Sequence, residues 1–261
     1  MSGDVLNSPI FIVGTGRSGT HFLLSVLMQS SEITDIFGGT ENLQLLFKSV
    51  NAAIHGETLT DLHSNYWALV LDASPLRFVD KTHPNLWHIT TLADSFSNVK
   101  FLGLVRDPFS VVYSTLNHNG TKGRLTDEAI SGYPVPCPFF GIEGDFIAPY
   151  TGFSIAQRAA LRWCSHMKKI NHYANTRSDF IAVRYESLLL DPVTECEKIG
   201  TFLELSEDLC VPNPMMASLH KKNMLSATEK SEIRSVVEAY FNFYGYPNED
   251  VVPLVEYLSW F

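Results

Sequence analysis

The stretch PIFIVGTGRSGTHFLL, Pro9 to Leu24, limits the fold more than any other part of the chain. A short β-branched and aromatic run meets Gly14, Gly16 and Gly19, and an apolar helical pattern follows. Strand, glycine turn and helix in that order gather backbone N–H groups and the positive end of a helix dipole around one anion. A strand apolar on both faces belongs inside a parallel sheet covered by helices on each side. The expected fold is therefore α/β, a three-layer sandwich with a central parallel sheet.

The remaining sequence repeats this alternation. Strands are predicted over 10–13, 33–37, 77–80, 99–105 and 180–185. Helices are predicted over 20–29, 42–54, 85–96, 108–115, 155–176, 192–203 and 228–241. Ligands of such sheets bind at the carboxyl ends of the strands, where residues 14–20, 81–83 and 106–114 fall. From His118 to Phe153 glycine, proline and aromatic residues replace the alternation. A loop of that length reads as an acceptor-side lid inserted into one domain over 1–261, or as a loop packing its aromatics on the core.

Composition narrows the partners. The formal net charge of -9 disfavours wholesale binding to nucleic acid or an anionic membrane, so an anionic ligand needs a local basic pocket. No apolar run approaches the roughly 20 residues of a membrane span, and the N-terminus has no signal-peptide pattern. Cys137, Cys164, Cys196 and Cys210 have neither metal-ligand nor C-x-x-C spacing, which reads as reduced thiols in a cytoplasmic protein, with no metal site expected.

The glycine loop admits three readings. A Walker loop places lysine and then serine or threonine after its last glycine; here Thr20 and His21 follow Gly19, which disfavours nucleoside triphosphate chemistry. The spacing also matches G-x-G-x-x-G, with Asp35 at the distance of a ribose-binding acid, which would suit an NAD(P)-dependent oxidoreductase. The third reading centres on Arg17: a guanidinium and two hydroxyls join the backbone N–H groups on one anion. A second anion clamp is predicted in LVRDPFSVVYS, from Arg106 at a strand end and Ser114 in the next helix. Two clamps suit a ligand with phosphates at both ends of its ribose.

GTGRSGTHFL and LVRDPFSVVYS resemble the two cofactor-binding elements of the sulfotransferases that use 3'-phosphoadenosine 5'-phosphosulfate (PAPS). VRYESLLLDP, Val183 to Pro192, resembles a third element of that family, and FYGYP, Phe243 to Pro247, its C-terminal ending. The arginine in the loop is similar to the tyrosylprotein, trehalose and carbohydrate branches. The resemblance implies a P-loop nucleotide-kinase-like fold and metal-free transfer of a sulfuryl group to an acceptor hydroxyl. It assigns the 5'-phosphosulfate to Thr15, Gly16, Arg17, Ser18, Gly19, Thr20 and His21, and the 3'-phosphate to Arg106 and Ser114. It places Tyr185 near the nucleotide, and Lys221 and Lys222 in a basic segment covering it.

In-line sulfuryl transfer needs positioning, cations and a base. The resemblance gives Lys81, in DKT, the charge of the leaving group. Two bases compete: Glu41 in GGTENLQLL, as in the arginine-loop branches, and His83 in KTH, as in the cytosolic branch. Read structurally, Glu41 is instead a first-turn acid behind Thr40 as N-cap. His88 and His118 read as structural. A small molecule, glycolipid or sugar is the preferred acceptor. A non-catalytic nucleotide-binding protein of the same fold is the remaining alternative.

Overall fold

A computed structural model describes residues 8–40, 42–212, 214–248 and 251. Five strands form one parallel sheet: β1 (Ile10–Gly14), β2 (Ile33–Thr34), β3 (Arg77–Asp80), β4 (Lys100–Val105) and β5 (Phe180–Arg184), in the order β2-β3-β1-β4-β5. β1 lies at the centre, and its five residues are buried. Its alternation sorts the core into two layers. Phe11 and Val13 face the larger cluster, and Ile10 and Ile12 face the smaller one. The chain leaves β1 toward β3 on one side and later returns on the other side as β4. That reversal opens a crevice at the carboxyl end of β1, where doubly wound sheets bind ligands.

The helices are α1 (Thr20–Leu27), α2 (Leu43–His55), α3 (Leu62–Ala73), α4 (Ile89–Ser95), α5 (Pro108–Leu116), α6 (Asn119–Gly123), α7 (Asp127–Ile130), α8 (Ile155–Thr176), α9 (Tyr185–Leu190), α10 (Pro192–Leu203) and α11 (Ala227–Tyr244). α2, α3, α4, α8 and α11 cover one face of the sheet, and α1, α9 and α10 the other. This is the three-layer α/β sandwich. α8 begins at a capping box, in which Ser154 accepts from the Gln157 N–H while the Gln157 side chain accepts from the Ser154 N–H. Its polar face carries two buried arginines, Arg158 and Arg162.

Several expectations needed correction. α3 was not expected, although Leu62, Tyr66, Val70 and Ala73 form a buried helical stripe. The helix predicted over 85–96 divides into a 3-10 turn, His83–Trp87, and α4, with His88 between them at φ -119° and ψ 15°, outside the helical conformation. The strand predicted over 33–37 ends at Thr34, because Asp35 starts a turn by accepting from the N–H groups of Phe37 and Gly39. α2 is capped by Asn42, whose Oδ1 accepts from the Leu45 N–H at 3.2 Å, not by Thr40. Glu41 lies outside the described residues.

The 118–153 segment contains α6, α7 and three 3-10 turns. Phe139, Phe140, Phe146 and Tyr150 are buried in the larger core, and Tyr133 stacks on Phe140 with ring centroids 4.6 Å apart. Arg158 fastens the segment to α8. Its guanidinium donates to the carbonyls of Leu125, Tyr150 and Thr151 and to the Asp127 carboxylate. Most of the aromatic residues in this segment therefore stabilise its own packing.

Candidate active site

The glycine loop follows directly from β1. Gly19 precedes α1 at φ 109°, and no side chain caps the helix. Arg17 lies at φ 77°, a left-handed conformation that a residue with a Cβ rarely adopts. Strain of this kind persists only where the surroundings enforce it, and it concentrates at functional sites. Tyr185, the first residue of α9, holds the loop from behind. A Cβ on Gly19 would stand 2.5 Å from its ring. The same ring carries the Arg106 guanidinium 4.0 Å from its centroid, and its hydroxyl pairs with Ser218 Oγ at 2.7 Å.

Arg106 leaves β4. Asp107 then caps α5 by accepting from the Ser110 N–H at 2.8 Å, and Pro108 occupies the first turn. Ser114 faces back toward the loop two turns later. Arg17 Nε donates to Ser114 Oγ at 3.2 Å, joining the two predicted anion clamps. Arg106 donates to the Ser218 carbonyl at 2.8 Å. Ser218 and Lys221 belong to a 3-10 segment, Met216–Met224, that closes this side. Burial and the charges of Arg106 and Arg17 lower the pKa of the Lys221 ammonium.

These elements surround a cavity of about 560 Å³. Its cations are Arg17, Arg106, Arg124, Arg162 and Lys221, and no described carboxylate lines it. A chain with net charge -9 therefore concentrates positive charge at one place. The opposite wall is apolar, built by Leu43, Leu46, Phe47 and Val50 of α2 with Phe139. Thr15 Oγ1, Ser18 Oγ and Arg106 Nε are buried without hydrogen-bond partners. Orphaned buried polar atoms beside a basic cavity are compatible with a site for an anion.

The expected residues divide as follows. Gly16, Arg17, Gly19, Thr20, His21, His83, Arg106, Ser114, Tyr185 and Lys221 line the cavity. Thr15 and Ser18 are buried just behind it. Lys222 is not among the lining residues. Neither is Lys81: it is buried, its Nζ donates to the Thr40 carbonyl at 2.8 Å, and it borders a separate void of about 10 Å³ with Asp35 and Asp80. Asp35, the ribose-binding candidate of the dinucleotide reading, spends its carboxylate on its own turn. His83 approaches Gly16 so closely that a Cβ there would be 2.8 Å from its Nε2. His88 is structural, with its Nε2 2.9 Å from the Ser49 carbonyl, whereas His118 lines the cavity.

Behind His83, Asp80 accepts from Tyr66 Oη, Thr82 N and Thr82 Oγ1, each at 2.9 Å. Burial raises the pKa of this carboxyl, and the hydrogen bonds it accepts oppose the rise. The network fixes the turn that presents His83. Arg124, Arg162, Phe139 and the α2 wall were not anticipated. The available signal was RAALRW in α8, two arginines four apart with only apolar residues between them.

The model of the Sulfotransferase family matches residues 9–208. The chain belongs to the sulfotransferase family. It is an α/β sulfotransferase with a P-loop-like fold. The match includes both predicted anion clamps and VRYESLLLDP, while FYGYP lies beyond it.

The sulfotransferase domain of the Synechococcus PCC 7002 olefin synthase superposes with a TM-score of 0.58 at 18% identity, covering 90% of this chain and 94% of that one. A sulfotransferase from Alicyclobacillus acidocaldarius gives 0.53 at 15% identity, covering 88% and 96%. Mouse sulfotransferase SULT7A1, complexed with PAP, gives 0.52 at 14% identity, covering 93% and 91%. No curated protein matches the chain in sequence. Among the described residues no helix is long and apolar enough to cross a membrane.

Proposed function

We propose that this sulfotransferase takes its sulfuryl group from PAPS and passes it to the hydroxyl of an acceptor with an apolar body. The observation that carries the reading is the Arg17–Ser114 hydrogen bond, which joins two anion clamps on one basic cavity. The loop from Thr15 to His21 receives the 5'-phosphosulfate, with the orphaned Thr15 and Ser18 hydroxyls as donors. Arg106, Ser114 and Lys221 receive the 3'-phosphate. Tyr185 stacks on Arg106 and keeps the guanidinium in place.

The nucleotide supplies an activated sulfuryl group and a phosphate leaving group. His83 supplies the base. It lines the cavity beside Gly16 and accepts the acceptor's hydroxyl proton as the new oxygen–sulfur bond forms and the bond to the 5'-phosphate breaks. The products are a sulfate ester and adenosine 3',5'-bisphosphate (PAP). Leu43, Leu46, Phe47, Val50 and Phe139 receive the apolar body of the acceptor, which favours a small apolar alcohol over a free sugar.

The test is PAP formation from PAPS with a panel of alcohols of graded apolar size. His83→Asn is expected to lower kcat by about 10²–10⁴-fold, the usual worth of a general base. PAP affinity should stay within about threefold, since histidine truncation leaves both clamps intact. Unchanged turnover in His83→Asn would remove the base assignment.

A further inference from the structure

Arg162 is the least satisfied charge in the described structure. It projects from the middle of α8 and is 5% exposed. Its Nε is buried without a partner, and it forms no ion pair among the described residues. Arg158, one turn earlier on the same helix, is equally buried but donates to three carbonyls and a carboxylate. One buried arginine is thus fully used by the fold, and the other is not. An unpaired buried guanidinium destabilises the folded state on general grounds, so its presence calls for a ligand.

The position of Arg162 identifies that ligand. A Cβ on Gly16 would meet His83 Nε2 at 2.8 Å and Arg162 Nη2 at 3.1 Å. The two nitrogens therefore converge on one point of the glycine loop, the loop that holds the 5'-phosphosulfate. Phe139 lies 5.4 Å beneath the guanidinium and restricts its swing. The Arg162 carbonyl is 2.7 Å from His166 Nδ1, and His166 Nε2 accepts from Trp87 Nε1 at 3.1 Å. Trp87 ends the 3-10 turn that starts with His83, so these contacts tie the helix that carries Arg162 to the turn that carries His83. Lys81, given the transfer-site charge by the family resemblance, is bonded to Thr40 instead and is not among the cavity residues.

We propose that Arg162 grips the sulfuryl oxygens and stabilises the charge they carry during transfer, as a catalytic residue beside His83. The inference rests on the PAPS reading. In the step, the acceptor oxygen bonds to sulfur, the bond from sulfur to the 5'-phosphate oxygen breaks, and the acceptor proton goes to His83. Arg162 gains and loses no proton. Its five N–H donors offer the fork geometry that suits a group of several oxygens.

The experiment compares binding of PAPS and PAP, without acceptor, by titration calorimetry. A group that touches only the sulfuryl oxygens separates the two ligands. Arg162→Gln should weaken PAPS by about tenfold or more, the worth of a charged hydrogen bond, while PAP affinity stays within about threefold. Arg162→Lys should recover part of the loss, and Lys81→Gln should shift both ligands equally. Equal loss of PAPS and PAP in Arg162→Gln, no loss of either, or a PAPS-selective loss in Lys81→Gln instead would overturn the assignment. Failure of the unsubstituted protein to bind PAP would overturn the donor reading and this inference together. Thermal melting of each variant confirms folding, and Arg162→Lys keeps the test decisive if Arg162→Gln is poorly folded.

Discussion

Two glycines of one loop should respond to the same substitution in opposite ways. Gly19 lies at φ 109°, where any Cβ is strained, and its Cβ would stand 2.5 and 2.6 Å from two carbons of the Tyr185 ring. Ordinary contact begins near 3.4 Å, so the ring must move by most of an ångström, although it is buried and cannot simply swing away. The backbone strain costs about 1–2 kcal/mol. Displacing the ring adds about 1 kcal/mol for the Tyr185–Ser218 hydrogen bond and about 1 kcal/mol for the stacked Arg106. Gly19→Ala should therefore lose roughly 3–4 kcal/mol, a fall in Tm of about 6–16 °C for a chain of this size, and should bind PAP poorly. Gly16 has no left-handed backbone, and its Cβ would meet only the far ends of the His83 and Arg162 side chains. Gly16→Ala should melt within about 2 °C of the unsubstituted protein, because displacing two side-chain ends toward an open cavity costs less than displacing a buried ring. Its turnover should nevertheless collapse. Differential scanning calorimetry and PAP-release assays on the two variants check this. Equal melting temperatures, or full activity in Gly16→Ala, would refute the account of the loop.

Two further predictions concern charge. Burial holds His166 well below the usual histidine pKa, and it also lowers that of His88. The unfolded chain takes up protons near pH 6.5 that the folded chain refuses. Stability is therefore full above that pH and falls on acidification, by about 1.4 kcal/mol per pH unit for each histidine. Urea midpoints measured at about pH 7.5 and pH 5.5 should show the loss, and His166→Gln should reduce its slope. Burial also pushes the Arg162 guanidinium down from its ordinary value to about 10, so its charge opposes folding across the neutral range. Arg162→Met should raise the Tm of the ligand-free protein, by about 1–4 kcal/mol of stability if the apolar side chain packs well against Phe139. A lower Tm would show that the arginine has a structural partner after all.

The sequence announced its sheet because β1, β3, β4 and β5 are short apolar runs between turns, a pattern that burial on two faces dictates. It pointed to Arg17, Arg106 and Ser114, which the fold brings to one cavity, because they sit just beyond strand ends. What it hid depends on three-dimensional accidents of packing. Lys81 follows a strand end, as expected, but which group its four-carbon stem brings the ammonium to, here the Thr40 carbonyl, depends on packing. Arg162 sits in a helix whose periodicity says only which face is buried, and which buried arginine finds a carboxylate depends on where α7 places Asp127. The 118–153 segment reads as a lid or as a loop packed on the core because short 3-10 turns leave no periodic signal. Its aromatic residues fill the core, while His118, Thr121, Arg124 and Phe139 contribute a wall of the cavity.

The central claim is that one bisphosphate nucleotide spans the Arg17 loop and the Arg106–Ser114 clamp. Calorimetric titration with PAP, AMP and NAD tests it most directly. The account predicts PAP bound at one site, AMP bound more weakly for want of the 3'-phosphate, and NAD not bound. It also predicts that Arg106→Ala brings PAP affinity down to that of AMP, a loss of roughly 10–150-fold for a charged contact. Equal affinities for PAP and AMP, or PAP binding unaffected by Arg106→Ala, would contradict it.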